Sequence, residues 1–209
     1  MTAPPVPTPV ERLPALAGLT AVTGDLMLAV GTTDVGPDRI RRAEQLIVEA
    51  TELLAEERLP HAHRPPADAR RPETPGASER CVQLAPLNPL GIPLVVSVTG
   101  QRGTATLVPT ALHEGPPGLF HGGFSAAVID HLLGILIFAQ GMPAFTATLD
   151  LTYHAGTVLD EPIDIVGEVT RIEGRKAWAE ATISQRGRRT VEALGLFVRP
   201  VSLTGRADD

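Results

Sequence analysis

The stretch from Phe124 to Ala139 constrains this chain more than any other. Read as a helix, it is apolar on nearly every face, and its only ionisable side chains are Asp130 and His131. A helix apolar all round has to be buried, so some other part of the chain must wrap it. The residues that follow are suited to that. In "AFTATLDLTYH" Phe145, Ala147, Leu149, Leu151 and Tyr153 fall on one face of a strand. Thr146, Thr148, Asp150 and Thr152 fall on the other. "PIDIVGEVTRI", "KAWAEATIS" and "TVEALGLFV" read as three more strands, joined by the short glycine-bearing turns "EGR" and "QRGR". These four strands are expected to form a meander. Two earlier runs, "IPLVVSVTG" and "RGTATLVPT", add strands before the helix. The fold class is therefore α+β, with an antiparallel sheet whose apolar face wraps a long central helix.

The 209 residues suit one domain plus an extension. The expected division is a Pro-rich N-terminal extension over 1–82, the sheet-and-helix domain over 83–200, and a tail over 201–209. Within the extension, "ALAGLTAVTGDLMLAV" reads equally as a short helix or a strand. Pro37 to Leu59 is a clear amphipathic helix, with proline at its start and Ile40, Leu46, Ile47, Leu53 and Leu54 at helical spacing. It is read as a packing or dimerisation element. A linker follows, with prolines at 60, 65, 66, 72 and 75. His61 and His63 have a metal-compatible spacing, but no third ligand stands nearby. Cys81 is the single cysteine, which excludes an intrachain disulfide and a thiolate zinc site and suits a cytoplasmic setting. The start of the chain lacks the pattern of a signal peptide, and Phe124–Ala139 is short and interrupted for a membrane span. The net charge of −6 makes nucleic acid an improbable main partner.

The chemistry concentrates at the helix. Its expected N-terminus carries His121, Gly122 and Gly123. Unpaired backbone N–H groups and partial positive charge make such an end suitable for an oxyanion, and glycine lets a carbonyl approach closely. Asp130 follows His121 by nine residues, ~13 Å along the axis, inside the apolar stretch. A buried carboxylate costs several kcal/mol unless it is paired, hydrated or used. Two readings stay open on these grounds: Asp130 is satisfied by an arginine, His131 or a backbone donor, or it works in catalysis. "GFSAA" around Ser125 nearly matches a nucleophile elbow, but it lacks the last glycine and Ser125 falls in the first helical turn.

"PPGLFHGGFSAAVIDHLLG", followed by "FTATLDLTYHAG" and "GEVTRIEGRKAWAEATI", resembles the hotdog-fold acyl-CoA thioesterases of the PaaI type, over about residues 90 to 200. The resemblance implies an acyl-CoA substrate, with coenzyme A as part of that substrate and no other cofactor required. It makes Asp130 the catalytic carboxylate, as general base or nucleophile. The N–H of Gly122 or Gly123 would polarise the thioester carbonyl, and His121 would set that loop. Thr146 matches a hydroxyl position that orients the attacking water, although the strand alternation reads it equally as a solvent-facing threonine. Tyr153, His154 and the basic hairpin of Arg171, Gly174, Arg175 and Lys176 match positions that grip coenzyme A. The resemblance also implies a homodimer or homotetramer with the site between subunits, Asp130 and Thr146 coming from different chains. Where some relatives have a second carbonyl donor, an asparagine, this chain has Gly115. A non-catalytic acyl-CoA-binding module and an acyl carrier protein thioesterase are the alternatives that the same residues admit.

Overall fold

A computed structural model describes residues 10–58, 87–92 and 94–201. The expected boundary at 82/83, the His61–His63 pair, Cys81 and the proline-rich linker lie outside the described residues.

Two helices open the described chain: α1 (Leu13–Thr32) and α2 (Pro37–Ala55). The segment left open between helix and strand is a 20-residue helix. Its alanines and leucines are strong helix formers, which outweigh Gly18 and Gly24. Neither helix has a buried residue.

The rest is one sheet and one helix. The strands are β1 (Ser97–Thr99), β2 (Arg102–Leu107), β3 (Phe145–Tyr153), β4 (Ile163–Glu173), β5 (Lys176–Gln185) and β6 (Arg188–Val198). The helix between β2 and β3 is α3 (Gly122–Ala139). All pairings are antiparallel, in the order β1-β2-β4-β5-β6-β3. The expected meander holds for β4, β5 and β6, and fails for β3. That strand crosses to the far edge and pairs with β6. The reason is the connection at 154–162, too long for a tight hairpin and free to cross the end of the sheet. The β4–β5 and β5–β6 turns use Gly174 at φ 57° and the pair Arg186–Gly187 at φ 53° and 73°, the left-handed region that tight hairpins demand.

The sheet curls around α3, which touches β2, β3, β4, β5 and β6. Val128, Ile129, Leu132, Leu133, Leu136 and Ile137 are all at most 1% exposed and interdigitate with Ile163, Ile165, Ala179, Ile183 and Phe197. Closeness is enforced at Gly167, where a Cβ would stand 2.4 Å from a Leu132 methyl. A side chain there would have to displace the methyls of Leu132, Leu133 and Leu136 from their packed positions. By length and composition α1 and α3 are each long and apolar enough to cross a bilayer. For α3 the sheet supplies the apolar cover. Asp130 and Phe138 lie on the face that the sheet leaves open, with Phe138 45% exposed.

Candidate active site

His121 ends the approach to α3. Its backbone is extended (φ −66°, ψ 132°), and its Nδ1 accepts from the Gly123 N–H at 2.9 Å. The histidine is thus the N-cap, a role that needs Nδ1 unprotonated. The entry loop is pinned from both sides. The His121 N–H donates to the His113 carbonyl and the Phe120 N–H to the Thr157 carbonyl, each at 2.8 Å. The His113 ring packs edge-on against Phe120 and Phe124, and burial lowers its pKa. Its Nδ1 accepts from the Thr110 N–H at 3.0 Å. The Glu114 carboxylate accepts from the Gly118 N–H at 2.6 Å and closes the turn.

These bonds separate the two expected oxyanion donors. The Gly123 N–H is occupied by His121, whereas the Gly122 N–H, at the first helical position, has no acceptor among the described residues. The Gly122 carbonyl accepts from the Tyr153 hydroxyl at 2.8 Å. Tyr153 thus braces the start of α3, a role that the sequence did not suggest. A Cβ at Gly122 would come within 3.0 to 3.2 Å of the Tyr153 ring and hydroxyl.

Two expectations about Asp130 need correction. It is only partly buried, and the neighbour that faces the core is His131, 7% exposed, with no hydrogen-bond partner for its Nε2 among the described residues. Consecutive helix residues point about 100° apart, and the turn of α3 here puts His131 on the core side and Asp130 at the edge of the open face. Burial lowers the His131 pKa to about 4, against a smaller opposing pull from Asp130. The second correction concerns Thr146. Its Oγ1 donates to Asp130 Oδ1 at 2.6 Å within the same chain. The strand alternation places Thr146 on the solvent side, but a register shift between Thr146 and Thr148 turns it toward α3. Asp130 and Thr146 therefore form one intrachain unit, not two halves from different chains.

The other expected residues divide into two groups. Tyr153 pairs in register with Val191 at one end of β6, and His154 Nε2 lies 3.2 Å from a Glu192 carboxylate oxygen. Lys176 pairs with Val198 at the other end. Seven residues of strand, about 23 Å, separate the two within a chain. The basic hairpin is already ordered: the Arg171 guanidinium stacks on Trp178 at 3.6 Å and pairs with Glu173, and Arg175 Nε donates to the Arg199 carbonyl. Gly174 sits at its tip. The half-open charge of this hairpin lies at the Thr146 end of the sheet, since Ala177 and Thr146 both face Phe197. Among the described residues no cluster of His, Cys, Asp or Glu could hold a metal ion.

Residues 117–193 match the model of the thioesterase superfamily. A crystal structure of a thioesterase superfamily protein superposes with a TM-score of 0.71, at 28% identity, over 94% of this chain and 97% of its own. The segment 117–193 matches the thioesterase superfamily, and the chain has the hotdog fold of such proteins. The span matched in that crystal structure is long enough that it has to include part of the N-terminal helices. The superfamily domain is also similar to mouse acyl-coenzyme A thioesterase THEM4, 33% identical over 102 residues, which are 47% of this chain and 44% of the mouse protein. Human acyl-coenzyme A thioesterase THEM5 is 28% identical over 103 residues, 48% of this chain and 42% of its own. The chain thus spans less than half the length of these two curated relatives. The PaaI protein of E. coli shares the fold at 14% identity, with a TM-score of 0.50.

Proposed function

We propose that this protein hydrolyses acyl-CoA thioesters to the free acid and coenzyme A, in a site that two copies of the chain complete. The observation that carries this reading is a mismatch of distances. The free Gly122 N–H and Asp130, which accepts from Thr146 of β3, sit on the same helix, eight residues and about 12 Å apart along its axis. An oxyanion donor has to lie ~3 Å from the reacting oxygen, and a base has to reach the attacking water within ~3 Å. One chain cannot bring both to one carbonyl.

A second copy can. β3 is the edge of the sheet, nine residues long, with Phe145 70% and Tyr153 53% exposed. A long open edge is a template for pairing. Two β3 strands that pair antiparallel about a two-fold axis near Leu149 set Thr146 of one chain against the Tyr153 end of the other. Gly122, tied to Tyr153, then approaches Asp130 of the partner copy. The same operation brings Tyr153 and His154 of one chain toward the basic hairpin of the other. That unites the two groups of expected coenzyme A contacts.

In the proposed reaction Asp130 takes a proton from water as its oxygen adds to the thioester carbonyl carbon. Thr146 holds Asp130 Oδ1 with its hydroxyl hydrogen and offers its lone pairs to the water's second hydrogen. The negative charge that develops on the carbonyl oxygen is met by the Gly122 N–H and the positive end of α3. The tetrahedral intermediate collapses with cleavage of the C–S bond, and the coenzyme A thiolate leaves and is protonated. Arg171, Arg175 and Lys176 suit the phosphates of coenzyme A. A direct attack by the Asp130 carboxylate, through an anhydride, uses the same geometry.

The test is release of free thiol from a panel of acyl-CoAs, with the native protein and with Asp130→Asn. Turnover lost in the variant with binding retained supports the reading. Tight binding without release by the native protein assigns the chain to acyl-CoA binding instead. Release from acyl carrier protein thioesters in preference to coenzyme A thioesters moves the carrier, not the chemistry.

A further inference from the structure

The amphipathic helix α2 has none of its 19 residues buried. A helix of that length standing alone in water is marginal, because most helical stability comes from packing of its apolar face. That face is well defined. Ile40, Ala43, Ile47, Ala50 and Leu54 recur at steps of three and four, and Leu46 and Leu53 widen the stripe. Ile40 is 49% and Leu53 67% exposed.

The charges on α2 say what covers the stripe. Residues 37–46 carry three arginines, Arg39, Arg41 and Arg42, against two acids. Residues 47–58 carry four glutamates, Glu49, Glu52, Glu56 and Glu57, against one arginine. Locally, Arg41 pairs with Asp38, and Arg42 reaches Gln45 at 3.3 Å. This polarity opposes the helix's own dipole, which favours acids at the N-terminus and bases at the C-terminus. It suits a neighbour that runs the other way, with its acidic half beside these arginines and its dipole reversed. An anionic membrane surface is a poor match, because interfacial helices carry bases along the whole polar face and α2 is acidic over half its length. Alanine at Ala43 and Ala50 lets two backbones approach closely.

We propose that α2 pairs antiparallel with α2 of a second copy of this chain, about a two-fold axis near Ile47, forming an interface between copies separate from the β3 edge. Ile47 then meets the stripe of its partner at the centre, and Ile40 of each chain lies opposite Leu54 of the other. With the β3 pairing, this second contact joins hotdog dimers into larger assemblies. Without it, α2 alone holds two chains together.

Sedimentation of the full-length protein tests this. Ile47→Glu with Leu54→Glu should halve the mass of the assembly while the hotdog domain stays folded, since α2 contributes nothing to that core. Arg39→Glu, Arg41→Glu and Arg42→Glu together should do the same. Adding Glu49→Arg, Glu52→Arg and Glu56→Arg to that triple variant should restore the native mass. In a Cys81→Ser background, Ile47→Cys should oxidise to a covalent dimer on its own. Ile40→Cys should cross-link only when mixed with Leu54→Cys. Unchanged mass in the glutamate variants overturns the proposal, and so does self-linking of Ile40→Cys, which marks parallel pairing. Loss of binding to phosphatidylserine vesicles with no change in mass overturns it in favour of a lipid surface.

Discussion

The Tyr153 hydroxyl donates to the Gly122 carbonyl at 2.8 Å, tying the last residue of β3 to the first residue of α3. The bond fixes the direction of the adjacent Gly122 N–H, which has no acceptor among the described residues. Tyr153→Phe removes the hydroxyl and keeps the ring. The expected cost is about 1 kcal/mol of stability by chemical denaturation, with a larger relative fall in kcat than in 1/KM. A fall in 1/KM alone would place the hydroxyl on the substrate and not on the helix.

Thr146 and Asp130, 2.6 Å apart, should behave as a unit. Asp130→Asn should lower kcat by about 10²–10⁴, the range of a positioned general base. Thr146→Val should cost less, and in the double variant it should cost little more than Asp130→Asn alone. Kinetics on the four proteins give the coupling directly. Additive losses would mean that the two residues act on different steps.

His131 predicts an acid limb in stability. Its pKa is about 4 in the fold, against 6.5 when free. Between these values the unfolded chain binds a proton that the folded chain refuses, so stability is full above pH 6.5 and falls as pH drops toward 4. From pH 7 to pH 5 this one group should remove about 2 kcal/mol. His131→Leu, which also removes an Nε2 that has no partner among the described residues, should flatten that limb in denaturation midpoints measured across the range.

Gly115 has no space for the side chain that some relatives are expected to use as a second donor. A Cβ there would stand 2.9 Å from the His121 Cα and 3.1 Å from its ring. Gly115→Asn should therefore displace the cap, lowering both thermal stability and turnover. A gain in turnover would show that the loop can open to admit a second donor.

The sequence made the central helix legible because its apolar surface demands a wrapper, and the strands of β4, β5 and β6 because their turns are short and glycine-bearing. The place of β3 was not legible. Alternation tells which residues share a face, and it does not tell which neighbour a strand selects after a long connection. The same limit explains Thr146, whose facing depends on a register shift that leaves no mark in the alternation. At the site, the spacing of His121 and Asp130 was informative, whereas the orientation of Asp130 was not. A helix apolar on all sides gives no signal of which face the sheet takes, and it took the side of His131. Tyr153 was picked out for coenzyme A; its bond to Gly122 joins residues 31 apart and has no local pattern.

The division of the site between two chains can be tested by complementation. Gly122→Pro deletes the free N–H at the first helical position, following an extended His121, where proline's backbone is allowed. Its ring crowds Tyr153, which a Cβ there would approach to 3.0 to 3.2 Å, so the variant's fold is checked first by circular dichroism. Asp130→Asn deletes the base. Each variant should be inactive alone. Co-refolded as an equal mixture, half of the dimers hold one of each chain, and one of the two sites in such a dimer keeps both groups. Thiol release from the mixture should then recover to about one quarter of the native rate. Mixed dimers that form and show no recovery would contradict a site shared across the β3 edge.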